Sequence, residues 1–532
     1  MRLTYDGLKD ISAWKNAGVE LPSYDPQELS QRTAKNPLWV HFGIGNIFRI
    51  FIGGIADTLI RDGLIDRGII CVETFDYDVV DKIYKPFNNL ALAVTLHEDG
   101  KTDKRILGSL TEALKAPGDW PRLKEIFTSP TLQMVSFTIT EKGYALHGAD
   151  GKYLSYVDAD MNNTPDKAKG AMAIVTALLF ERFMAGASPL ALVSMDNVSQ
   201  NGKKLRESVI ETAEKWQEKN FVPAEFVDYV KDESRISFPW SMIDKITPRP
   251  SDDVGKMLSG LGVEDMQTVV TSKHTYIAPF VNAEAPGYLV VEDNFPNGRP
   301  PLEKAGMYLT DRKTVNLSER MKVTTCLNPI HSALCTFDRM LGYVLFADGM
   351  HDPELAELAR QVGYVEGLPV VEDPKIISPR AFIDEVINVR FPNPYLGDTS
   401  ARIATDISQG LAFRFGETIK AYVARYGTAE KLKAVPLAIT GWLRYLLAVD
   451  DDGNAFELSP DPLNAEMTSR LAGITFGQPE SLTGQLKPIL CNKNIFGVDL
   501  YEAGLGEKIE TMFRDMLKGK GAVRAALKKY LA

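Results

Sequence analysis

The chain has 532 residues, which is too long for one hydrophobic core and suits two or three domains. Its net charge of -10 argues against nucleic acid or an anionic membrane as a general partner. No apolar run reaches the roughly eighteen residues of a membrane span. The N-terminus lacks the apolar stretch of a signal peptide, and the four cysteines are too scattered for a disulfide scaffold. We therefore expect a soluble protein of the reduced cytoplasm.

Strands alternate with helices through the first half of the chain. Strands are predicted at residues 37–45, 68–74, 90–96, 133–140 and 189–195, and helices at residues 47–62 and 167–184. A Pro/Gly-rich connection at residues 293–301 breaks this pattern, and helices follow at residues 318–342, 353–363, 378–389, 399–426, 429–449 and 505–531. The pattern predicts an α/β fold: a doubly wound domain with a largely parallel sheet over residues 1–300, then a mainly α-helical domain over residues 301–532.

Two glycines follow the first predicted strand, at its turn into a helix. The missing side chains of Gly43 and Gly45 let the backbone approach a pyrophosphate, which a helix N-terminus favours electrostatically. We expect this turn, with Asn46, Ile47 and Phe48, to bind a dinucleotide. Phe48 stands where the usual fingerprint has its third glycine, so a tight turn without a ligand is the alternative.

Acidic residues stand at the end of the second predicted strand. A carboxylate there accepts hydrogen bonds from an adenosine ribose and repels a 2′-phosphate, which favours NAD over NADP. Glu73 and Asp76 both qualify, and the sequence leaves the choice between them open. Either carboxylate could instead be a solvated charge of the loop.

Polar residues cluster after three apolar segments. Thr140 ends the strand at residues 133–140 and Glu141 follows it. Asn197 follows the strand at residues 189–195, and Asp244 with Lys245 lies in the short segment 238–248. Each cluster alone is ordinary turn chemistry. Ligands of open α/β sheets bind at the carboxyl ends of the strands, so we expect the three clusters to share one edge of one sheet.

A lysine, an asparagine and a histidine occur close together where the helical half begins. A lysine in a poorly solvated pocket loses its proton more easily, so Lys322 could act as a base. Asn328 could donate a hydrogen bond to an oxyanion, and His331 could orient a substrate. A structural role is the alternative for each residue alone, and Pro329 is expected to kink the helix.

Together these motifs resemble the polyol-specific long-chain dehydrogenases. The likeness runs in order over most of the chain, through residues 21–25, 41–49, 140–144, 194–202, 238–248, 292–300, 318–331, 390–394 and 450–453. The resemblance implies a Rossmann-type domain, a helical domain and a site between them. It also implies zinc-independent, NAD(P)-dependent oxidation of a secondary alcohol, or the reverse reaction.

The resemblance also implies roles for particular residues. Lys322 would be the general acid/base, and Glu292 would pass protons between that lysine and solvent. The remaining residues fall into three groups: Asn197 and Asn328 for the oxyanion, Asp244, His331 and Arg390 for the substrate, and Gly43, Gly45, Asn46, Ile47, Phe48, Glu73, Asp76, Thr140 and Glu141 for the cofactor. Apart from the resemblance, a substrate carboxylate needs a cation such as Lys245 or Arg390.

The spacing around the lysine departs from the family. Five residues separate Lys322 from Asn328, where the family usually has four. On an ideal helix the extra residue turns the lysine by about 100° away from its partner. We therefore predict a one-residue π-bulge within residues 324–327, which restores the register.

The expected reaction is reduction of D-fructuronate to D-mannonate by NADH, on a small-molecule sugar acid. Mannitol 2-dehydrogenase and tagaturonate reductase are the alternative enzymes, and a non-catalytic nucleotide sensor is the alternative from another class. The six histidines show no metal-ligand spacing, so no metal is expected. We expect no nucleic-acid or membrane partner, and a monomer or small homo-oligomer.

Overall fold

A computed structural model describes residues 1–116 and 118–532 of the chain. They form two compact units, Met1–Asn316 and Leu317–Ala532. The division predicted from the sequence lies at residue 300. The segment that follows residue 300 stays with the first unit because its strand Tyr308–Thr310 pairs with the strand Tyr288–Glu292.

The first unit contains the strands. Within the described residues they are β1 (Val19–Glu20), β2 (Trp39–Phe42), β3 (Ile69–Glu73), β4 (Ala91–Leu96), β5 (Thr102–Leu107), β6 (Leu110–Lys115), β7 (Met134–Phe137), β8 (Leu190–Ser194), β9 (Ile236–Ser237), β10 (Ser241–Asp244), β11 (Val269–Val270), β12 (Tyr276–Ile277), β13 (Phe280–Glu284), β14 (Tyr288–Glu292) and β15 (Tyr308–Thr310). Its α-helices are Ile11–Asn16, Pro26–Lys35, Gly53–Arg61, Tyr77–Val79, Trp120–Thr128, Thr140–Tyr144, Ser155–Met161, Ala171–Met184, Asn201–Glu218, Ala224–Lys231 and Asp252–Gly260. Two π-helical segments, Phe48–Ile52 and Val80–Tyr84, also occur there.

The main sheet has six parallel strands in the order β6-β3-β2-β7-β8-β9. Every residue of β2, β3, β7 and β8 is buried, as expected for strands covered on both faces. One hydrophobic cluster gathers around Val40, Phe42 and Val135, and another around Trp39, Cys71 and Met134. The side chains of alternate residues of the same strands therefore lie in hydrophobic cores on opposite faces of the sheet. The predicted doubly wound fold is confirmed.

Two sequence expectations about this sheet are wrong. Residues 90–96 do form a strand, but β4 belongs to a separate four-stranded sheet of order β1-β5-β4-β13. It forms an antiparallel pair with β5, the next strand in the chain, and lies parallel to β13. Strand β10, which carries Asp244, lies in a three-stranded sheet of order β10-β14-β15. The third polar cluster is therefore not at the edge of the six-stranded sheet.

A buried carboxylate explains the motif at residues 21–25. Asp57 is fully buried and accepts hydrogen bonds from Arg61 Nε at 2.6 Å, Arg105 Nε at 2.9 Å and the Tyr24 hydroxyl. A buried charge is stable only when it is paired and hydrogen-bonded. The motif thus fastens the N-terminal segment to helix Gly53–Arg61, which follows the glycine turn.

The second unit is built from helices within the described residues. After helix Arg312–Met321, which crosses the division, the α-helices are Asn328–Leu341, Phe346–Met350, Pro353–Arg360, Pro379–Glu385, Ser400–Ile403, Glu417–Tyr426, Ala434–Tyr445, Asn464–Arg470, Lys487–Leu490, Lys493–Phe496, Gly506–Met516 and Ala522–Leu531. The π-helical segments are Lys322–Cys326, Gln361–Gly367, Val386–Arg390 and Ala412–Gly416. Helix Ala434–Tyr445 is buried on all sides, which places it at the centre of the unit.

Several predicted helices are interrupted. The segment at residues 505–531 divides into two helices because Gly519 and Gly521 adopt positive φ angles of 109° and 77°. The segment at residues 399–426 is broken at Asp406, whose φ is 53°, and continues through 3-10 and π-helical turns. The helical character of the second half is confirmed, and its continuity is not.

Candidate active site

The glycine turn lies between β2 and the helical segment that follows it. Gly43 has a φ of +86°, and a Cβ atom there would lie 2.1 Å from the carbonyl oxygen of Thr138. Both the conformation and the contact require glycine. A Cβ atom on Gly45 would meet no described atom within 4 Å. Gly45 therefore borders open space that a ligand can approach closely, whereas Gly43 allows the turn itself.

A chain of hydrogen bonds holds this turn from inside the sheet. The Trp39 indole N–H donates to Ser136 Oγ at 2.7 Å, and that oxygen lies 2.6 Å from His41 Nδ1. His41 Nε2 lies 2.8 Å from Thr138 Oγ1, which donates to the Gly43 carbonyl at 2.7 Å. The Ser136 and Thr138 hydroxyls have one proton each, so the chain assigns the ring proton to Nε2. Burial lowers the pKa of His41 well below its usual value, so this positioning residue, which sequence reasoning missed, is neutral.

The residues after the glycines divide into accessible and buried groups. Phe48 is fully buried and stacks on the His41 ring with 4.0 Å between centroids, so its side chain packs in the core rather than against a cofactor. Oδ1 of Asn46 is buried and has no hydrogen-bond partner among the described residues. A buried acceptor of this kind calls for a donor that the described residues do not supply. With the open space at Gly45, it fits the predicted dinucleotide turn.

Glu73 and Asp76 are both buried at the end of β3, but their oxygens are used differently. Glu73 Oε1 accepts backbone N–H groups of Thr74 and Phe75 at 2.9 Å and of Asp76 at 3.3 Å. Burial raises the pKa of Glu73, against these hydrogen bonds, which lower it. Asp76 Oδ2 accepts the Thr271 hydroxyl at 2.6 Å, and its Oδ1 has no partner among the described residues. Each residue therefore orders the loop.

Asp196, at the end of β8, ties two strand ends together. Its carboxylate accepts the backbone N–H groups of Ile139 at 2.9 Å and Thr140 at 3.0 Å, and the Tyr144 hydroxyl at 2.6 Å. Thr140 has a φ of +64°, which is strained for a β-branched residue. Glu141 pairs with Lys204 on the neighbouring helix. The two predicted clusters at residues 140–144 and 196–202 do therefore meet.

Asn197 follows this carboxylate and is exposed in a bend. A second asparagine, fully buried Asn201, holds the bend in place. Its Nδ2 donates to the carbonyl oxygens of Ser194 at 3.2 Å and Asp196 at 3.0 Å, and its Oδ1 accepts the Ser241 N–H at 3.0 Å. Asn201 thus fixes the backbone on either side of Asn197. The sequence signal for this residue is the pair Asn201-Gly202, whose glycine lies against Trp240.

Asp244 and Lys245 lie at the end of β10. Asp244 is buried, and the Lys245 ammonium donates to the backbone carbonyls of Glu284, Ala285 and Pro286. An ammonium group has three hydrogens, and these three acceptors match them. The role of Lys245 as a cation for a substrate carboxylate stays a prediction.

Glu292 lies at the end of β14 and is held by an arginine. Its two oxygens lie 3.1 and 3.0 Å from Arg312 Nε, and one of them also accepts the Trp240 N–H at 3.1 Å. Arg312 contacts Glu233 as well, at 3.0 Å. Both carboxylate oxygens of Glu292 are therefore engaged in an ion pair, with the arginine over the Trp240 ring at 5.6 Å.

Lys322 opens a π-helical segment, as the extra residue predicted. The segment runs from Lys322 to Cys326, and the Leu327 N–H donates five residues back to the Lys322 carbonyl at 3.1 Å. It begins earlier than the predicted range of residues 324–327. The Thr324 hydroxyl donates to the Arg320 carbonyl at 2.7 Å, which satisfies an acceptor near the widened turn. Lys322 itself is 2% exposed.

The predicted kink at Pro329 is replaced by a break two residues earlier. Leu327 leaves the helical conformation with φ -128° and ψ -65°, and a new helix begins at Asn328. Pro329 is then the second residue of that helix, where a missing N–H leaves no hydrogen bond unmade. Asn328 therefore lies in the first turn of its helix.

His331 lies one turn into that helix, in an aromatic setting. Its ring stacks on Phe391 at 4.8 Å and meets the edge of Phe346 at 4.4 Å. Nε2 lies 3.3 Å from Oδ2 of Asp398, which also pairs with Arg402. Burial lowers the pKa of His331, although Asp398 acts in the opposite direction. Sequence reasoning missed Asp398, which lies a few residues beyond the motif at residues 390–394.

Arg390 lies in the same unit at the end of the π-helical segment Val386–Arg390 and is buried. No group of three or more His, Cys, Asp and Glu side chains within residues 1–116 and 118–532 could hold a metal ion. Among those same residues, no helix has the length and apolar character that crossing a membrane requires.

Comparison with known proteins places the chain in a family. The model of the mannitol dehydrogenase Rossmann domain matches residues 38–304, and that of the mannitol dehydrogenase C-terminal domain matches residues 315–517. The chain is 51% identical over 535 residues to a D-mannonate oxidoreductase of Thermotoga maritima, with 99% of each chain covered. It is 28% identical to a polyol:NADP oxidoreductase of Gluconobacter oxydans, over 88% of this chain and 90% of that protein.

A solved structure gives the same result for the fold. A substrate-free D-sorbitol dehydrogenase superposes with a TM-score of 0.80 at 26% identity, over 96% of this chain and 98% of the other. The resemblance inferred from the motifs is therefore confirmed. The chain belongs to the mannitol dehydrogenase family of oxidoreductases.

Proposed function

We propose that this protein interconverts D-fructuronate and D-mannonate, with NADH as the reductant of the keto acid. The observation that carries the substrate is the 51% identity to a D-mannonate oxidoreductase over 99% of both chains. The buried lysine that opens a π-helical segment supports the reaction class.

The first unit fits the cofactor. Gly45 leaves open space, Asn46 presents a buried acceptor without a described partner, and Glu73 is held at the end of β3 by the N–H groups of its own loop. A carboxylate at this strand end favours the unphosphorylated ribose of NAD. A bound nicotinamide supplies or accepts the hydride.

We assign proton transfer to and from the substrate oxygen to Lys322. In oxidation, its amine takes the proton of the substrate hydroxyl while hydride leaves the same carbon. In reduction, its ammonium returns a proton to the carbonyl oxygen. Amide N–H groups of Asn197 and Asn328 donate to that oxygen and stabilise its negative charge.

Glu292 is proposed to exchange protons between the lysine and solvent. Arg312 engages both of its carboxylate oxygens, so this exchange requires the Arg312 contact to open. Arg312 is thus placed to control the step.

The substrate carboxylate needs a cation, because a charge-assisted pair with arginine is strong and directional. Lys245 directs its ammonium to three backbone carbonyls, so we assign this contact to Arg390. Asp244 and His331 are proposed to bind the hydroxyl groups of the sugar chain.

A screen of NADH oxidation with D-fructuronate, D-tagaturonate and D-fructose tests the proposal, and a repeat with NADPH tests the cofactor. We expect the highest kcat/KM for D-fructuronate with NADH. Turnover of fructose alone would identify a mannitol 2-dehydrogenase, and turnover of tagaturonate alone a tagaturonate reductase. Binding of NADH without turnover of any of the three would favour the nucleotide sensor.

A further inference from the structure

A large aromatic side chain is exposed beside the proposed ribose site. Phe75 follows Glu73 by two residues, and 66% of its surface is accessible, although Glu73 and Asp76 on either side are buried. An exposed apolar ring forgoes the favourable free energy that its burial would contribute. An exposed ring between two buried residues therefore suggests a surface for a ligand.

The backbone that carries the ring is fixed. The Phe75 N–H and those of its two neighbours, Thr74 and Asp76, all donate to one oxygen of Glu73. The same carboxylate that is proposed to bind the ribose thus sets the place of the ring. A pre-ordered aromatic surface costs little entropy when a ligand binds to it.

The hairpin of β11 and β12 approaches the same loop. The Thr271 hydroxyl donates to Asp76 at 2.6 Å, and the Ser272 N–H donates to Asp78 at 2.8 Å. These contacts bring the Lys273 ammonium to 4.9 Å from the centroid of the Phe75 ring. A cation and an exposed aromatic ring are therefore held together by two loops that are hydrogen-bonded to each other.

We propose that Phe75 and Lys273 form the subsite for the adenine ring of the dinucleotide. The proposal rests on the proposed function, since it assumes that Glu73 binds the adenosine ribose. The base is joined directly to that sugar, so it lies within reach of a side chain two residues farther along the loop. Phe75 provides a stacking surface for the flat purine, and Lys273 provides a donor for its ring nitrogens.

Dissociation constants of the full-length protein for NADH, ADP-ribose and reduced nicotinamide mononucleotide test this subsite. We expect Phe75→Leu to weaken NADH and ADP-ribose about 5- to 100-fold, the range of base stacking on an aromatic side chain. The mononucleotide, which has no adenine, is expected to bind as before. Phe75→Tyr should restore NADH binding, and Lys273→Met should weaken it about 2- to 5-fold.

The matched control is Tyr426→Leu, because Tyr426 is another exposed ring with a lysine ammonium 4.7 Å from its centroid. It should change none of the three constants. Unchanged binding of NADH and ADP-ribose to Phe75→Leu would overturn the subsite, as would an equal loss for the mononucleotide. If the unsubstituted protein bound neither NADH nor ADP-ribose, the proposed cofactor itself would be wrong.

Discussion

Lys322 combines burial with a position at the first residue of a widened helical turn. Removing its amine removes the proposed proton acceptor but not the groups that hold the dinucleotide. Substitution of Lys322 should therefore impair proton transfer and leave cofactor binding unchanged.

We expect Lys322→Ala to lower kcat by about 100- to 10,000-fold, the usual range for a general acid/base, with the NADH dissociation constant unchanged. Lys322→Arg keeps the charge and the length but cannot lose a proton, so it should be equally inactive. Steady-state and single-turnover rates check this, and an active Lys322→Arg variant would contradict the assigned role.

Asp196 acts on the cofactor turn through the backbone. Its carboxylate accepts the N–H groups of Ile139 and Thr140, and Ile139 lies against Gly43. An amide in its place would turn an N–H donor toward one of these donors. We expect Asp196→Asn to raise the KM for NADH about tenfold, equivalent to about 1.4 kcal/mol, with a smaller change in kcat.

Tyr144→Phe is the control for that variant, since it removes one hydrogen bond to Asp196 and leaves both backbone contacts. Its KM for NADH should change less than that of Asp196→Asn. Equal KM values for the two variants would show that loss of the backbone hydrogen bonds is not the cause of the weaker NADH binding.

At the scale of secondary-structure elements, the π-helical segment Lys322–Cys326 absorbs one extra residue before Asn328. Without it, the side chain of Lys322 would turn by about 100° relative to the following helix. We expect the segment to preserve the relation between the two side chains despite the changed spacing.

Deleting Thr325 should convert this segment to a regular α-helix and bring the spacing to that of the family. Because the surrounding side chains are packed for the longer segment, we expect kcat to fall at least tenfold, with NADH binding retained. Thr325→Ala, which keeps the length, should retain most of the activity. A deletion variant as active as Thr325→Ala would mean that the π-helical turn is dispensable, and circular dichroism would show whether each variant folds.

Much of the fold was predictable at this scale because its periodic signals are local. Apolar runs marked β2, β3, β7 and β8, and spacing against a family pattern marked the π-helical segment. Sheet membership was not predictable, because β4 and β10 join other sheets through pairing with distant strands. The direction of the Lys245 ammonium depends on carbonyls some forty residues later, at Glu284 to Pro286, so the sequence could not predict that direction. Asp196, Asp398 and His41 act through contacts that no short motif displays.

At the scale of the whole molecule, stability depends on a buried acid outside the proposed chemistry. Asp338 is 1% exposed in helix Asn328–Leu341, and Ser400 donates to its Oδ2 at 2.9 Å. Its Oδ1 has no partner among the described residues. Burial raises the pKa of Asp338 to about 8.

The folded state therefore binds a proton that the unfolded chain releases at a pKa of about 3.9. The stabilisation is fully present below that value and is lost as the pH rises toward about 8. We expect the free energy of unfolding to fall over this window, by at most about 6 kcal/mol. Urea denaturation from pH 5 to pH 9 measures the change.

Asp338→Asn keeps the shape and cannot ionise, so its unfolding free energy should vary less with pH across the same window. The control is Asp384→Asn, at an exposed acid of the same unit that accepts the Tyr364 hydroxyl at 2.6 Å, and its pH profile should follow that of the unsubstituted protein. Parallel pH profiles of Asp338→Asn and the unsubstituted protein would refute the assignment.

The hydrogen-bond chain from Trp39 to Gly43 runs in one direction, because each hydroxyl in it has a single proton to give. Its first member is an indole N–H in a fully packed strand, and its last is the carbonyl of the cofactor turn. The Trp39 indole proton should therefore exchange slowly with deuterated solvent, and its NMR resonance should report movements of a turn that it does not touch. The Trp39 indole N–H is thus a natural NMR probe of the glycine turn.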